Sequence, residues 1–146
     1  VSKVTIKLVI SKDTNTTFFL HNIKKSQTFA TMEKVRMAIV GSRGISNINI
    51  EEYLSQIPVE IECIISGGAR GVDTLAAHYA EEKGIKLLTF LPNYQKHLQG
   101  APIRRNELMA KECSVLVAFW DGKSKGTKHI INYAQKLGKR VYVYQP

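Results

Sequence analysis

The segment Ser66-Gly67-Gly68-Ala69-Arg70-Gly71-Val72-Asp73 places three glycines between an apolar run and a helical pattern. Glycine lets a backbone turn tightly and approach a ligand without Cβ hindrance. N–H groups freed at a helix start, together with the helix dipole, attract an anion. Ser66 adds a hydroxyl and Arg70 a guanidinium. The spacing is neither G-x-G-x-x-G nor a Walker loop ending in GK[ST], so the dinucleotide and P-loop fingerprints are both absent. The competing explanation is a strand-to-helix turn that needs glycine for packing alone.

Three further segments offer related chemistry. Gly41-Ser42-Arg43-Gly44 follows an apolar run, and Arg43 has the fork to pair bidentately with phosphate. Asp121-Gly122-Lys123-Ser124-Lys125-Gly126-Thr127 carries two lysines, and Ser124 or Thr127 suits the cap of a following helix. Arg104-Arg105-Asn106 opens a helix after Gly100-Ala101-Pro102. Positive side chains oppose the dipole at that end, and a cost accepted there points to a use, such as reaching an anion. The expected ligand- or phosphate-binding set is Gly41, Ser42, Arg43, Ser66, Gly67, Gly68, Ala69, Arg70, Gly71, Arg104, Arg105, Asn106, Ser124, Gly126 and Thr127. No Ser-His-Asp or paired-carboxylate arrangement is legible, and Asp73 and Asp121 are the candidate carboxylates for any hydrolytic step. Trp120 has a face for stacking on a base, but a Trp at the end of an apolar run is more often core. His78, His97 and His129 form no pattern, and no His/Cys cluster has metal-ligand spacing.

Loops of this kind need elements to hold them, and the sequence supplies alternating strands and helices from Met32 onward. Arg36–Val40, Ile61–Ile65, Leu87–Leu91, Val115–Phe119 and Val141–Tyr144 read as short, almost continuously apolar strands. Continuous apolarity signals burial on both faces, as in a parallel sheet. Between them the pattern predicts helices from about Ile50 to Gln56, over a stripe at Val72, Leu75, Ala76, Tyr79 and Ala80, from Ile103 to Lys111, and from Thr127 to Leu137. Pro58, Gly84 and Gly138 serve as stops. The fold class is α/β, a Rossmann-like doubly wound parallel sheet of about five strands. Right-handed crossovers favour the order 3-2-1-4-5, with a crevice at the switch point between strands one and four. Residues 1–31 read as an N-terminal β-hairpin extension and linker: Val4–Ile10 alternates, a turn-rich stretch follows, then a second β-type run from Thr16 to Ile23. Residues 32–146 form the expected nucleotide-binding domain.

Composition sets the outer limits. With 146 residues and 44% apolar content, the chain has an ordinary globular make-up and can bury roughly two-thirds of its unfolded surface. No apolar run approaches the roughly 20 residues of a membrane span, and residues 1–30 lack a signal-peptide core. Cys63 and Cys113 sit in or beside apolar runs without a CxxC pair, which favours free buried thiols and a cytoplasmic setting. The net charge of +9 invites a polyanion as partner. Five lysines against one acid in residues 1–31 concentrate that charge at the N-terminus, leaving the rest mildly basic. The expected partner is a small nucleotide ligand. Single-stranded nucleic acid is a second class, no membrane is expected, and self-association is left open.

Four stretches carry a resemblance: Ile39–Arg43, Ile65–Asp73, Pro102–Asn106 and Phe119–Thr127, in that order along Met32–Tyr144. They resemble the SLOG superfamily, with YspA-like proteins as the nearest branch. The resemblance implies a Rossmann-like fold and a nucleotide or nucleotide-derived ligand, and no particular cofactor is assigned. Two related groups frame the alternatives. The DNA-processing protein A family is similar at Ser-Gly-x-Ala-x-Gly-hydrophobic-Asp and at a later Arg-Asn pair, which implies single-stranded DNA binding. The lonely-guy phosphoribohydrolases are similar at Gly126-Thr127, which implies N-glycosidic hydrolysis of nucleotides. Their motif continues with a Glu three residues after the Thr, and here that position is Ile130.

Overall fold

The computed structural model describes residues 32–146; the hairpin expected over 1–31 lies outside them. Strand β1 (Lys34–Gly41) forms the centre of a five-stranded sheet. It is followed by α1 (Ile50–Leu54), β2 (Glu60–Ser66), α2 (Val72–Lys83), β3 (Lys86–Thr89), α3 (Tyr94–His97), a 3-10 turn (Leu98–Gly100), α4 (Ala101–Glu112), β4 (Val115–Phe119), α5 (Lys125–Lys136) and β5 (Arg140–Tyr144). All neighbouring strands pair parallel, in the order β3-β2-β1-β4-β5. That is the predicted α/β architecture and order. The register runs from Met37 opposite Val115 to Gly41 opposite Phe119, so β1 and β4 end level with each other.

Because strand side chains alternate between faces, each strand feeds two cores. Met37, Ile39, Val117, Phe119 and Tyr144 pack with α1 and α2 on one face. Ala38, Val40, Leu116, Ala118 and Val143 pack with α4 and α5 on the other. Both faces are therefore dry at the centre, as the apolar runs require. Tyr53 of α1 packs edge-on against Phe119 (5.2 Å) and Tyr144 (4.9 Å), closing the first core at the strand ends. Cys63 and Cys113 are free and buried in the second core. Among the described residues, no helix is long and apolar enough to cross a membrane.

Several boundaries differ from expectation for identifiable reasons. Helix α1 stops at Leu54 rather than Gln56, because a tight turn (Ile57 N–H to Leu54 O, 3.1 Å) carries Ile57 back into the core. Strand β3 starts at Lys86 and ends at Thr89 instead of reaching Leu91. It is an edge strand, mostly exposed, and its last anchor is the Phe90 N–H bond to Ser66 O at 2.8 Å. The expectation of burial on both faces fails there, and Leu91 is 71% exposed. Helix α4 begins two residues earlier than Ile103, with Pro102 in its first turn where a missing N–H costs nothing. Ser124, not Thr127, is the N-cap of α5, and the helix starts at Lys125. Helix α3 has no counterpart in the sequence reading; Asn93 caps it by accepting from Lys96 N–H at 3.0 Å.

Candidate functional site

The loop after β1 is built around Ser42, which is 1% exposed. Its N–H donates to Phe119 O at 3.0 Å, and its hydroxyl oxygen accepts from Asp121 N–H at 3.1 Å. One side chain thus fastens the loop after β1 to the loop after β4. In the latter, the Asp121 carboxylate accepts from the N–H groups of Lys123 and Ser124, each at 2.8 Å. Those two bonds hold the Asp121 carboxyl below the usual carboxylate range. Trp120 is half-buried against the second core, and its indole N–H donates to Ser124 O at 3.0 Å. It braces this loop, as a core residue would. Ser124 then accepts from Thr127 N–H at 3.4 Å and opens α5.

The glycine-rich loop after β2 folds onto the side chains of the protein itself. The Ala69 N–H donates to Asp73 Oδ2 at 2.9 Å, and the Gly68 N–H donates weakly to Ser66 Oγ at 3.4 Å. Two of the amides expected to face a ligand are therefore already engaged. Arg105 reaches across from α4 and donates through Nη1 to Gly67 O and, at 3.5 Å, to Phe90 O. Its Nε donates to Asn106 Oδ1 at 2.9 Å, and Asn106 Nδ2 in turn donates to Gly126 O at 3.4 Å. The loop after β2, the start of α4 and the start of α5 are thereby joined. Gly71 has φ 77° and lies under the loop after β1: a Cβ there would stand 2.7 Å from Arg43 O.

These elements enclose a cavity of about 450 Å³ at the ends of β1 and β4. Gly41, Ser42, Arg43, Gly67, Ala69, Arg105, Asn106, Ser124, Gly126 and Thr127 of the expected set all line it, as do Asp73 and Asp121. Ser66, Gly68, Arg70, Gly71 and Arg104 are not in its wall. Ser66 is buried behind the loop, while Gly68 and Arg70 are exposed. Gly71 is the N-cap of α2, and exposed Arg104 pairs with Glu107 at 3.3 Å. Sequence reasoning missed the apolar floor of Val40, Met109 and Ile130, and the contribution of Pro102. The spacing of Pro102, Arg105, Asn106 and Met109 marks one face of a helix, a signal that was available.

Electrostatically the wall is mixed. Burial pushes the Asp73 carboxyl above its ordinary range, opposed by the Ala69 N–H bond and the positive field of Arg105. Burial also lowers the Arg105 guanidinium, opposed by Asp73. Arg43 is exposed at the rim. Among the described residues, no cluster of His, Cys, Asp and Glu could hold a metal ion.

Residues 35–97 match the family described as YAcAr, the YspA, cpYpsA-related SLOG family. This segment belongs to that SLOG family. The match runs from β1 through the glycine-rich loop to α3, so it contains two of the three loops around the cavity. The chain is also similar to the Gene 61 protein of Mycobacterium phage D29, 33% identical over 81 residues, covering 51% of this chain. It spans 65% of that relative's length. No solved structure matches the chain.

Proposed function

We propose that the cavity binds a nucleotide or nucleotide-derived ligand, with its phosphate against the first turn of α5 and the Arg43 side chain. The observation that carries this reading is the convergence of three strand-end loops on one cavity of about 450 Å³ at the switch point of a parallel sheet. That volume lies within the range of small-molecule sites. In the first turn of α5 the Thr127 N–H is capped by Ser124, while the Lys125 and Gly126 N–H groups have no acceptor among the described residues, and the turn lines the cavity through Ser124, Gly126 and Thr127. The expected phosphate cradle thus moves from the loop after β2, whose Ala69 amide is held by Asp73, to the loop after β4. SLOG membership supports a nucleotide-related ligand.

The test is thermal stabilisation of the full chain by AMP, a cyclic dinucleotide and ADP-ribose. A ligand at 100 times its Kd adds about 2.7 kcal/mol of stability, which is readily seen as a rise in Tm. Arg43→Ala should weaken binding about tenfold, the loss of a charge-assisted contact. Arg70→Ala and Arg104→Ala should leave it unchanged, because neither side chain lines the cavity. No stabilisation by any of the three compounds refutes the reading. Release of adenine from AMP would instead make the site that of a hydrolase. The geometry does not favour it: Asp73 and Asp121 both hold backbone N–H groups, and Ile130, 1% exposed, stands where the hydrolase motif has its Glu.

A further inference from the structure

Two oppositely charged side chains in the cavity wall are nine-tenths buried, Arg105 at 9% exposure and Asp73 at 8%. Neither is used up by the protein. Arg105 spends Nε and Nη1 on Asn106, Gly67 and Phe90, while Nη2 has no hydrogen-bond partner among the described residues. Asp73 receives the Ala69 N–H, and the Gly67 N–H faces it as well. Those two donors occupy about half of the roughly four acceptor positions of a carboxylate. The two groups flank one point: a Cβ on Gly67 would stand 2.7 Å from Arg105 Nη1 and 3.1 Å from Asp73 Oδ2. Yet they form no ion pair with each other.

A donor and an acceptor with unfilled hydrogen-bonding capacity, on two buried side chains of one cavity wall, are placed for a ligand to supply the complement. That complement must donate a hydrogen bond to Asp73 and accept one from Arg105. A phosphate fits poorly, because at neutral pH it is mostly the dianion, with few hydrogens to give, and is repelled by the carboxylate. A hydroxyl does both, and a vicinal diol does so across two adjacent carbons. In a nucleotide, that group is the ribose. Resting on the nucleotide reading above, we propose that Asp73 and Arg105 bind the sugar hydroxyls and make the site selective for ribonucleotides over deoxyribonucleotides. The apolar floor of Val40, Met109 and Ile130 is then left for the base.

The test measures Kd for AMP, 2′-deoxy-AMP and 3′-deoxy-AMP on the full chain, with ribose 5-phosphate and 2-deoxyribose 5-phosphate as probes lacking a base. A hydrogen bond to a charged partner is worth about tenfold or more in affinity. AMP should therefore bind at least about tenfold tighter than one of its deoxy analogues, and ribose 5-phosphate tighter than its 2-deoxy form. Asp73→Asn keeps an acceptor for Ala69 N–H but replaces acceptor positions by an amide NH₂, and it should bring the ribo and deoxy forms to similar affinity. Equal binding of all three adenosine phosphates to the wild type overturns the inference while leaving the nucleotide reading standing. So does discrimination that survives in Asp73→Asn. If that variant does not fold, the wild-type comparison alone decides. Failure of every compound to bind refutes the nucleotide reading and this inference with it.

Discussion

A methyl group at residue 67 would press on the Arg105 guanidinium at 2.7 Å. Gly67→Ala should therefore cost about 1–3 kcal/mol, typical of overpacking, and should weaken AMP binding because Arg105 must move. Gly44→Ala, with open space around the new Cβ, should stay within about 0.5 kcal/mol. Urea unfolding of both variants checks the pair, and equal effects would show that the close approach of Arg105 does not constrain residue 67. Asp73 makes a second, pH-dependent case. Burial lifts its carboxyl above the ordinary 3.8 in the folded chain, so as pH rises the unfolded chain sheds this proton first. Stability contributed by the group is present at low pH and is lost as pH climbs from the unfolded value through the folded one. Asp73→Asn does not titrate. Its stability relative to wild type should therefore improve between pH 4 and pH 7, read from urea midpoints at both. A constant or reversed difference would contradict the burial argument. Asp121 has the opposite sign: its lowered carboxyl favours the fold above the usual carboxylate range and loses that contribution on acidification.

Three strand-end loops converge because each is fastened to another element. Ser42 ties the end of β1 to the loop after β4, and Asn106 ties α4 to α5. Ser42→Ala removes the acceptor of Asp121 N–H and should cost about 1 kcal/mol, the net value of one partly buried hydrogen bond. It should also weaken AMP binding, since the two halves of the cavity rim are no longer fixed to each other. Unchanged affinity would mean that the loops hold their positions without the latch. The strands and helices were legible because their signals are local: apolar runs of strand length, a stripe from Val72 to Ala80, and stops at Gly84 and Gly138. The latches were not, because they join residues far apart in the chain, 79 positions for Ser42 and Asp121. For the same reason nothing local distinguishes Arg104 from Arg105. They are neighbours, yet one faces solvent beside Glu107 and the other is buried against Gly67. The glycine loop was recognised by its glycines, but the carboxylate that engages its Ala69 amide lies four residues on in the following helix.

The chain as a whole carries +9, and residues 1–31 hold five lysines against one acid. Charge of this kind draws any polyanion, through counterion release and without a shaped site. A nucleotide held in the cavity and an oligonucleotide held by surface charge should therefore separate cleanly. Oligonucleotide affinity falls linearly in log–log with salt, with a slope of about −0.7 per phosphate neutralised on a single strand. AMP, engaging a partly enclosed site through a few directional contacts, should lose much less over the same salt range. The two should also differ in their dependence on the cavity. Arg43→Ala should weaken AMP while changing retention of a labelled single-stranded oligonucleotide only by its share of the total charge, and AMP should not displace the oligonucleotide. Fluorescence anisotropy of the labelled strand across a salt series, with and without saturating AMP, measures the strand's slope and any displacement, and thermal shift with AMP over the same salts, for wild type and Arg43→Ala, measures the rest. Competition between AMP and the strand would show that a strand end enters the cavity, and the charge on the surface would then serve to deliver a polymer to the same site.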